Sequence, residues 1–268
     1  MPMDLETIED NARFSLEQAL RIIKHGGVAK RSGKAYGAAA LMYHRLALCS
    51  LLAEARADRF QVHLCKSALV RLHLVQLVAG GLSVHPSTTC ASANFSFVDA
   101  VVAGQLKLAA DVARLTTDTH EPTCEYEDDF LLHRFLQRYF LHLHAGAPHG
   151  FPALFERWER VLEGEHTPYF DVCRALFHRD AAGFDEALRE VIEARARSFR
   201  QRDVHSEEAR RTDGAVFMNG LALVRMAELS GLPTHREYPN IPGLARLPSN
   251  QLPLSPAAWM NPDEGYPA

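Results

Sequence analysis

Fourteen histidines, five cysteines and one dense run of carboxylates are the side chains with most chemical potential in this 268-residue sequence. Two histidines can share a metal on a helix only at i,i+3 or i,i+4 spacing. His142 and His144 are separated by two, which sends their rings to different faces, and His44, His63 and His73 fall on different segments or at awkward spacings. No H-E-x-x-H is present, so no metal site is expected. The cysteines Cys49, Cys65, Cys90, Cys124 and Cys173 are odd in number and show no C-x-x-C spacing, which fits reduced thiols. Cys173 falls on the apolar side of its helix and reads as packing. No G-x-S-x-G elbow occurs, and the glycines of GGVAKRSGKAYG, residues 26–37, do not fit a phosphate loop. Neither catalysis nor a cofactor is expected.

Two charge clusters remain. Glu121, Glu125, Glu127, Asp128 and Asp129 surround Tyr126 with five acids and no base. Exposed at a loop and helix start, they suit contact with a basic partner, because complementary fields accelerate association. The second cluster is basic: Arg195, Arg197, Arg200, Arg202, Arg210 and Arg211, interleaved with Asp203, Glu207 and Glu208. The simpler account of both clusters is solvated helix ends and linkers. Net charge is −4, and residues 81–193 carry eighteen acids against nine bases. A nucleic-acid binder needs a contiguous basic face, so that class is disfavoured.

The elements that must position these residues are helical throughout. Periodicity near 3.6 gives helices over Thr7–Lys24, with Ile8, Phe14, Leu16, Leu20 and Ile23 inward, then over 35–57 and 60–78. A capping box, Ser96 with Asp99, is expected to start a helix running from Val98 to Leu115. Residues 125–144 form an aromatic-rich helix, and Ala153–Leu162 a short one. Asp180 caps a helix over Ala181–Phe199, and Asp213 is expected to cap an apolar helix that Gly231 and Pro233 stop. Eight to ten helices in antiparallel hairpins result, an all-α bundle or short repeat-like array. Residues 1–246 are expected to form one domain. Residues 247–268 form a Pro-rich tail, extended or disordered, with Leu252, Leu254 and Trp259 as anchors. No window approaches the apolar length of a membrane span, and MPMDLETIEDNARF lacks secretory features, so a cytoplasmic location is expected.

The stretches FHRDAAGFDEALREVIEARARSF and GAVFMNGLALVRMAELSGLPTHREYPNIP, in this order, resemble the C-terminal half of the immunity protein 49 family of bacterial polymorphic toxin systems. The shared order is a large residue, a charged turn, a G-F-x-x-A-L helix, an apolar helix, a Gly-apolar-Pro stop and an acid-Tyr-Pro segment. Here the last is Glu237, Tyr238 and Pro239, followed by Ile241 and Pro242 where the family usually has a shorter Leu-Pro. The resemblance covers roughly residues 95–242. It implies a non-catalytic cytoplasmic protein that occludes one cognate toxin domain, and a basic nuclease would suit the acidic cluster. A tetratricopeptide-like scaffold and a helical hydrolase are the competing classes.

Overall fold

The computed structural model describes residues 3–93, 95–148, 150–201, 203–248 and 254–265. Among these the chain is all-α, and the one β-type pairing is an isolated bridge between Tyr238 and Ile241. Helix α1 (Leu5–His25) and the short α2 (Val28–Arg31) lead into a long antiparallel hairpin of α3 (Lys34–Glu54) and α4 (Ala57–Ala79). Then come α5 (Phe95–Val102), α6 (Leu106–Leu115), α7 (Glu127–Ala145) and α8 (Phe151–Leu162). A second hairpin, α9 (Pro168–His178) with α10 (Ala181–Arg200), precedes α11 (Glu207–Arg211) and α12 (Met218–Leu229).

Helix α4 lies against α3, α5 and α6 and is the axis of the N-terminal half. By length and composition it could cross a membrane, at a mean hydropathy of 1.3 over its most apolar window, contrary to the reading of the sequence. That window is 61% buried within the protein, so its apolar surface is core. On α1 the buried residues Ile8, Ala12, Leu16, Ala19, Leu20 and Ile23 follow one stripe. Phe14, expected among them, is 64% exposed, because a step of two from Ala12 turns it to the opposite face.

The expected helix from Val98 to Leu115 is two helices. Gly104, at φ 69°, follows α5 and breaks the chain before α6. The Ser96–Asp99 capping box does not form: both residues are buried within α5 and their side chains turn to the core. The α9–α10 turn is as read, with Arg179 left-handed and the Asp180 carboxylate accepting from the Gly183 N–H at 3.0 Å. Asp213 caps nothing. The segment before α12 is a turn, closed by the Val216 N–H donating to the Thr212 carbonyl at 3.1 Å, and the helix starts five residues after Asp213.

Gly231, at φ 81°, ends α12, and the Leu232 N–H reaches back to the Ala227 carbonyl at 2.9 Å. The extended exit segment then crosses α12 at Gly220, where a Cβ would collide with the Phe217 ring and Ile241. Only glycine permits that approach. Tyr238 is 6% exposed, accepts at its hydroxyl from the His235 N–H at 3.1 Å, and lies under the Arg189 guanidinium. Arg246 braces the same segment through the His235 and Arg236 carbonyls. Tyr238→Ala is therefore expected to cost about 3 kcal/mol, as for other buried aromatics, and to lower the thermal midpoint by several degrees. A calorimetric midpoint equal to wild type would mean that Arg246 and Ile241 hold the segment without the ring.

The described part of the tail is a strap on the N-terminal hairpin. Trp259 is buried beside Tyr36 and His73, and its carbonyl accepts from the Tyr43 hydroxyl at 2.6 Å. The Lys66 ammonium donates to the Asn261 and Pro262 carbonyls at 2.9 and 2.7 Å, and burial pushes its pKa down to about 8. Leu254 is half-buried, and the expected anchor Leu252 lies outside the described residues.

Candidate partner-binding surface

The acidic cluster is built where the loop after α6 turns into α7. Three acids, Glu127, Asp128 and Asp129, fill the first turn of α7, where the helix dipole favours negative charge. The loop is held by its own side chains. Thr123 donates through its hydroxyl to Glu121 at 2.7 Å, and its hydroxyl and backbone N–H hold the Glu121 carboxyl below its ordinary range.

The six expected contact residues separate into two groups. Glu125 turns inward and is 9% exposed; its carboxylate accepts from the Ser92 and Glu121 N–H groups at 2.8 and 3.2 Å. It is a loop clamp, and the expectation that it is exposed is corrected. Glu127 is tied to Arg157 at 2.6 Å, and Glu121 is half-exposed and engaged by Thr123. Tyr126 is 80% exposed, and Asp128 and Asp129 point to solvent without a partner among the described residues. Partial desolvation, with Asp128 and Glu125 beside it, raises the Asp129 pKa. A shallow cavity of about 470 Å³ adjoins them, lined by Ser92, Cys124, Glu125, Tyr126 and Asp129 among others.

The basic cluster is not a free face. The Arg195 guanidinium sits 4.4 and 4.8 Å from the Phe199 and Phe217 rings and donates to the Val216 carbonyl at 3.2 Å. Arg210 donates to the His205 carbonyl and Arg197 faces Glu193. Arg202 lies outside the described residues.

Sequence spacing did not reveal a buried charged chain. His44 of α3 is 4% exposed, with Nδ1 2.7 Å from Asp99 of α5 and Nε2 3.2 Å from Asp213 before α12. Ser67 of α4 donates to the other Asp99 oxygen at 2.6 Å. Burial alone would depress the imidazole pKa, but Asp99 and Asp213 overrule it and raise it to about 10. Both ring nitrogens and the Ser67 hydroxyl are committed to these bonds, leaving no free base or nucleophile. The chain pins four separate segments. The one signal for it was a lone carboxylate inside the apolar run FSFVDAVV.

The cysteines are free thiols, and burial pushes Cys49 and Cys65 up to about 12 and Cys173 well above its ordinary value. Cys49, Cys65 and Cys173 are poor nucleophiles in this state. Among the described residues no three His, Cys, Asp or Glu side chains converge as a metal site. His144 stacks on Phe140, and His142 bonds the Ala147 carbonyl.

No curated protein and no solved structure matches the sequence. The family described as Immunity protein 49 matches residues 37–244. That span reaches further toward the N-terminus than the resemblance over residues 95–242, taking in most of α3, all of α4 to α12 and the Tyr238 exit segment. The all-helical chain, with its His44-pinned core, belongs to the immunity protein 49 family.

Proposed function

We propose that the protein binds one cognate toxin domain in the cytoplasm and neutralises it stoichiometrically by occlusion. Family membership across residues 37–244 carries this reading. Supporting it, the most reactive-looking groups have structural roles: His44 is locked between two carboxylates and three buried thiols are held protonated. A binding protein needs a surface rather than a reaction centre.

The surface we assign is Tyr126 with Asp128 and Asp129. An exposed tyrosine offers a large amphipathic contact at low entropic cost, and the unpaired aspartates flank it. Toward a basic toxin nuclease, these carboxylates stand in for the phosphates of its substrate. Their field accelerates encounter, and the ring supplies contact area once docked. Such steering weakens with salt, since exposed charges are screened beyond about 8 Å at physiological ionic strength.

The test uses the cognate toxin domain, sought in the reading frames beside this protein's own. Asp128→Asn with Asp129→Asn should leave the melt unchanged, slow association about tenfold at low salt, and flatten the salt dependence. Tyr126→Ala should instead speed dissociation. An unchanged association rate in the double variant would remove the patch from the interface. A wild-type protein that neither binds nor protects against the toxin would defeat the immunity reading itself.

A further inference from the structure

Helix α7 changes sign along its length. Its first turn carries three acids, whereas its middle presents Arg134 and Arg138, one turn apart, to a cavity of about 570 Å³. The end of α6 supplies Arg114 to the same cavity, the following loop adds Thr116, Thr117 and Asp118, and the floor includes Leu141, Pro148 and Gly150.

The charges here do not balance. Among the described residues that line it, three guanidinium groups meet one carboxylate, so 3 − 1 leaves two positive charges, part of one of them offset by Asp111, which Arg114 shares with Lys107. Arg134 is the deepest, with a side chain 13% exposed; it reaches Asp118 through one Nη at 3.3 Å, and its buried Nε has no hydrogen-bond partner. Arg138 has neither a hydrogen bond nor an ion pair among the described residues, and its guanidinium lies over Gly150. Arg114 is engaged by Asp111 at 2.9 Å on its outer side. Like charges at i,i+4 repel and destabilise a helix. Here burial and that repulsion push the Arg134 pKa down to about 10.

We propose that this cavity binds a phosphate group, free or carried by a small molecule, between Arg134, Arg138 and Arg114. Guanidinium forks match paired oxygens, and a phosphate bearing between one and a half and two negative charges cancels the excess, which a carboxylate would only halve. The volume falls within the roughly 300–1,000 Å³ usual for small-ligand sites, so an organic part attached to the phosphate fits as well. The site is independent of the acidic surface and of the toxin-binding role.

Thermal melts and titration calorimetry on the full chain test this, with inorganic phosphate and adenosine monophosphate against chloride at matched ionic strength. Phosphate should raise the wild-type midpoint in a saturable manner. Arg138→Gln should bind at least tenfold more weakly, yet melt at or above wild type in phosphate-free buffer, because it relieves repulsion; a purely structural arginine predicts a lower midpoint in both buffers. Arg114→Gln, at a half-exposed side chain, repeats the test without touching Arg134 or Arg138 and should weaken binding several-fold. Tighter binding of the nucleotide identifies a carried phosphate, and equal binding the free ion; both uphold the site. No shift beyond that of chloride, or an equal response from Arg138→Gln, would overturn it.

Discussion

Replacing Asp99 with alanine is expected to cost about 3–5 kcal/mol, the usual consequence of stripping one partner from a buried charge pair. In the native protein the His44 imidazolium is held at Nδ1 by Asp99 at 2.7 Å and at Nε2 by Asp213, whose side chain is 36% exposed. Without Asp99, His44 either stays charged with only the wetter partner or loses its proton, and Ser67 loses its 2.6 Å acceptor. The sign of the pH effect follows from the shift. Because the folded pKa of His44 is raised from 6.5 to about 10, its stabilising contribution is complete below about pH 6.5, declines through the interval and is gone above 10. The His44 contribution should thus fall in wild type as pH rises from 7 to 10, against an opposite-signed gain from Lys66 that both proteins share, so the stability gap between wild type and Asp99→Ala should narrow. The acid side provides a control. Burial depresses His63 to about 3 and His133 to about 4, so both resist protonation in the folded state and destabilise it as pH falls below about 6.5. Both proteins share this limb, and any additional steepness in the variant reports a His44 that has lost its proton. Urea denaturation at pH 5, 7 and 9.5 measures all of this, and an unchanged alkaline slope in the variant would show that Asp99 does not hold the His44 proton.

The helical architecture was legible because burial writes a 3.6-residue period into a chain. Phe184, Ala187, Leu188, Val191, Ile192 and Phe199 could be assigned inward on α10 from spacing alone; the first five are buried, and Phe199 is half-buried. Turn chemistry was equally readable at Asp180 and Gly231, since a left-handed closure or a short acceptor at a helix end is a local requirement. The failures share a cause. Asp99 was read as the partner of Ser96 in a capping box and Asp213 as a helix cap, yet both are drawn to a histidine far away in sequence. Spacing states which face a residue occupies and is silent about what arrives opposite that face. Glu125 failed in the same way: it belongs to an acidic run, but the Ser92 N–H pulls it inward and leaves Tyr126, Asp128 and Asp129 as the outward part. The Arg134–Arg138 pair stood in plain view at i,i+4. Its significance required knowing that no acid meets Arg138 across the cavity.

Leu223→Asp is expected to abolish the fold at ordinary temperature. Leu223 is fully buried at the centre of α12, which packs against α5 and α7 and presents Gly220 to the exit segment. Truncation to alanine at such a position costs about 2–5 kcal/mol through lost transfer energy and the cavity left behind. Aspartate keeps nearly the branched shape of leucine but replaces its two methyl groups with a carboxylate that has no partner prepared for it, so it must be buried ionised, protonate at a cost, or drag water and helix apart. The sum competes with a total stability of about 5–15 kcal/mol. Loss should be cooperative, because α12 receives Ile241 of the exit segment at Gly220 and begins five residues after Asp213, which bonds His44. Far-UV circular dichroism of Leu223→Ala and Leu223→Asp decides the point. Alanine should melt earlier with native helicity, and aspartate should lack a native melt at 25 °C. If aspartate kept wild-type helicity and midpoint, α12 would have to lie at the periphery, and the packing of the whole C-terminal half would need revision.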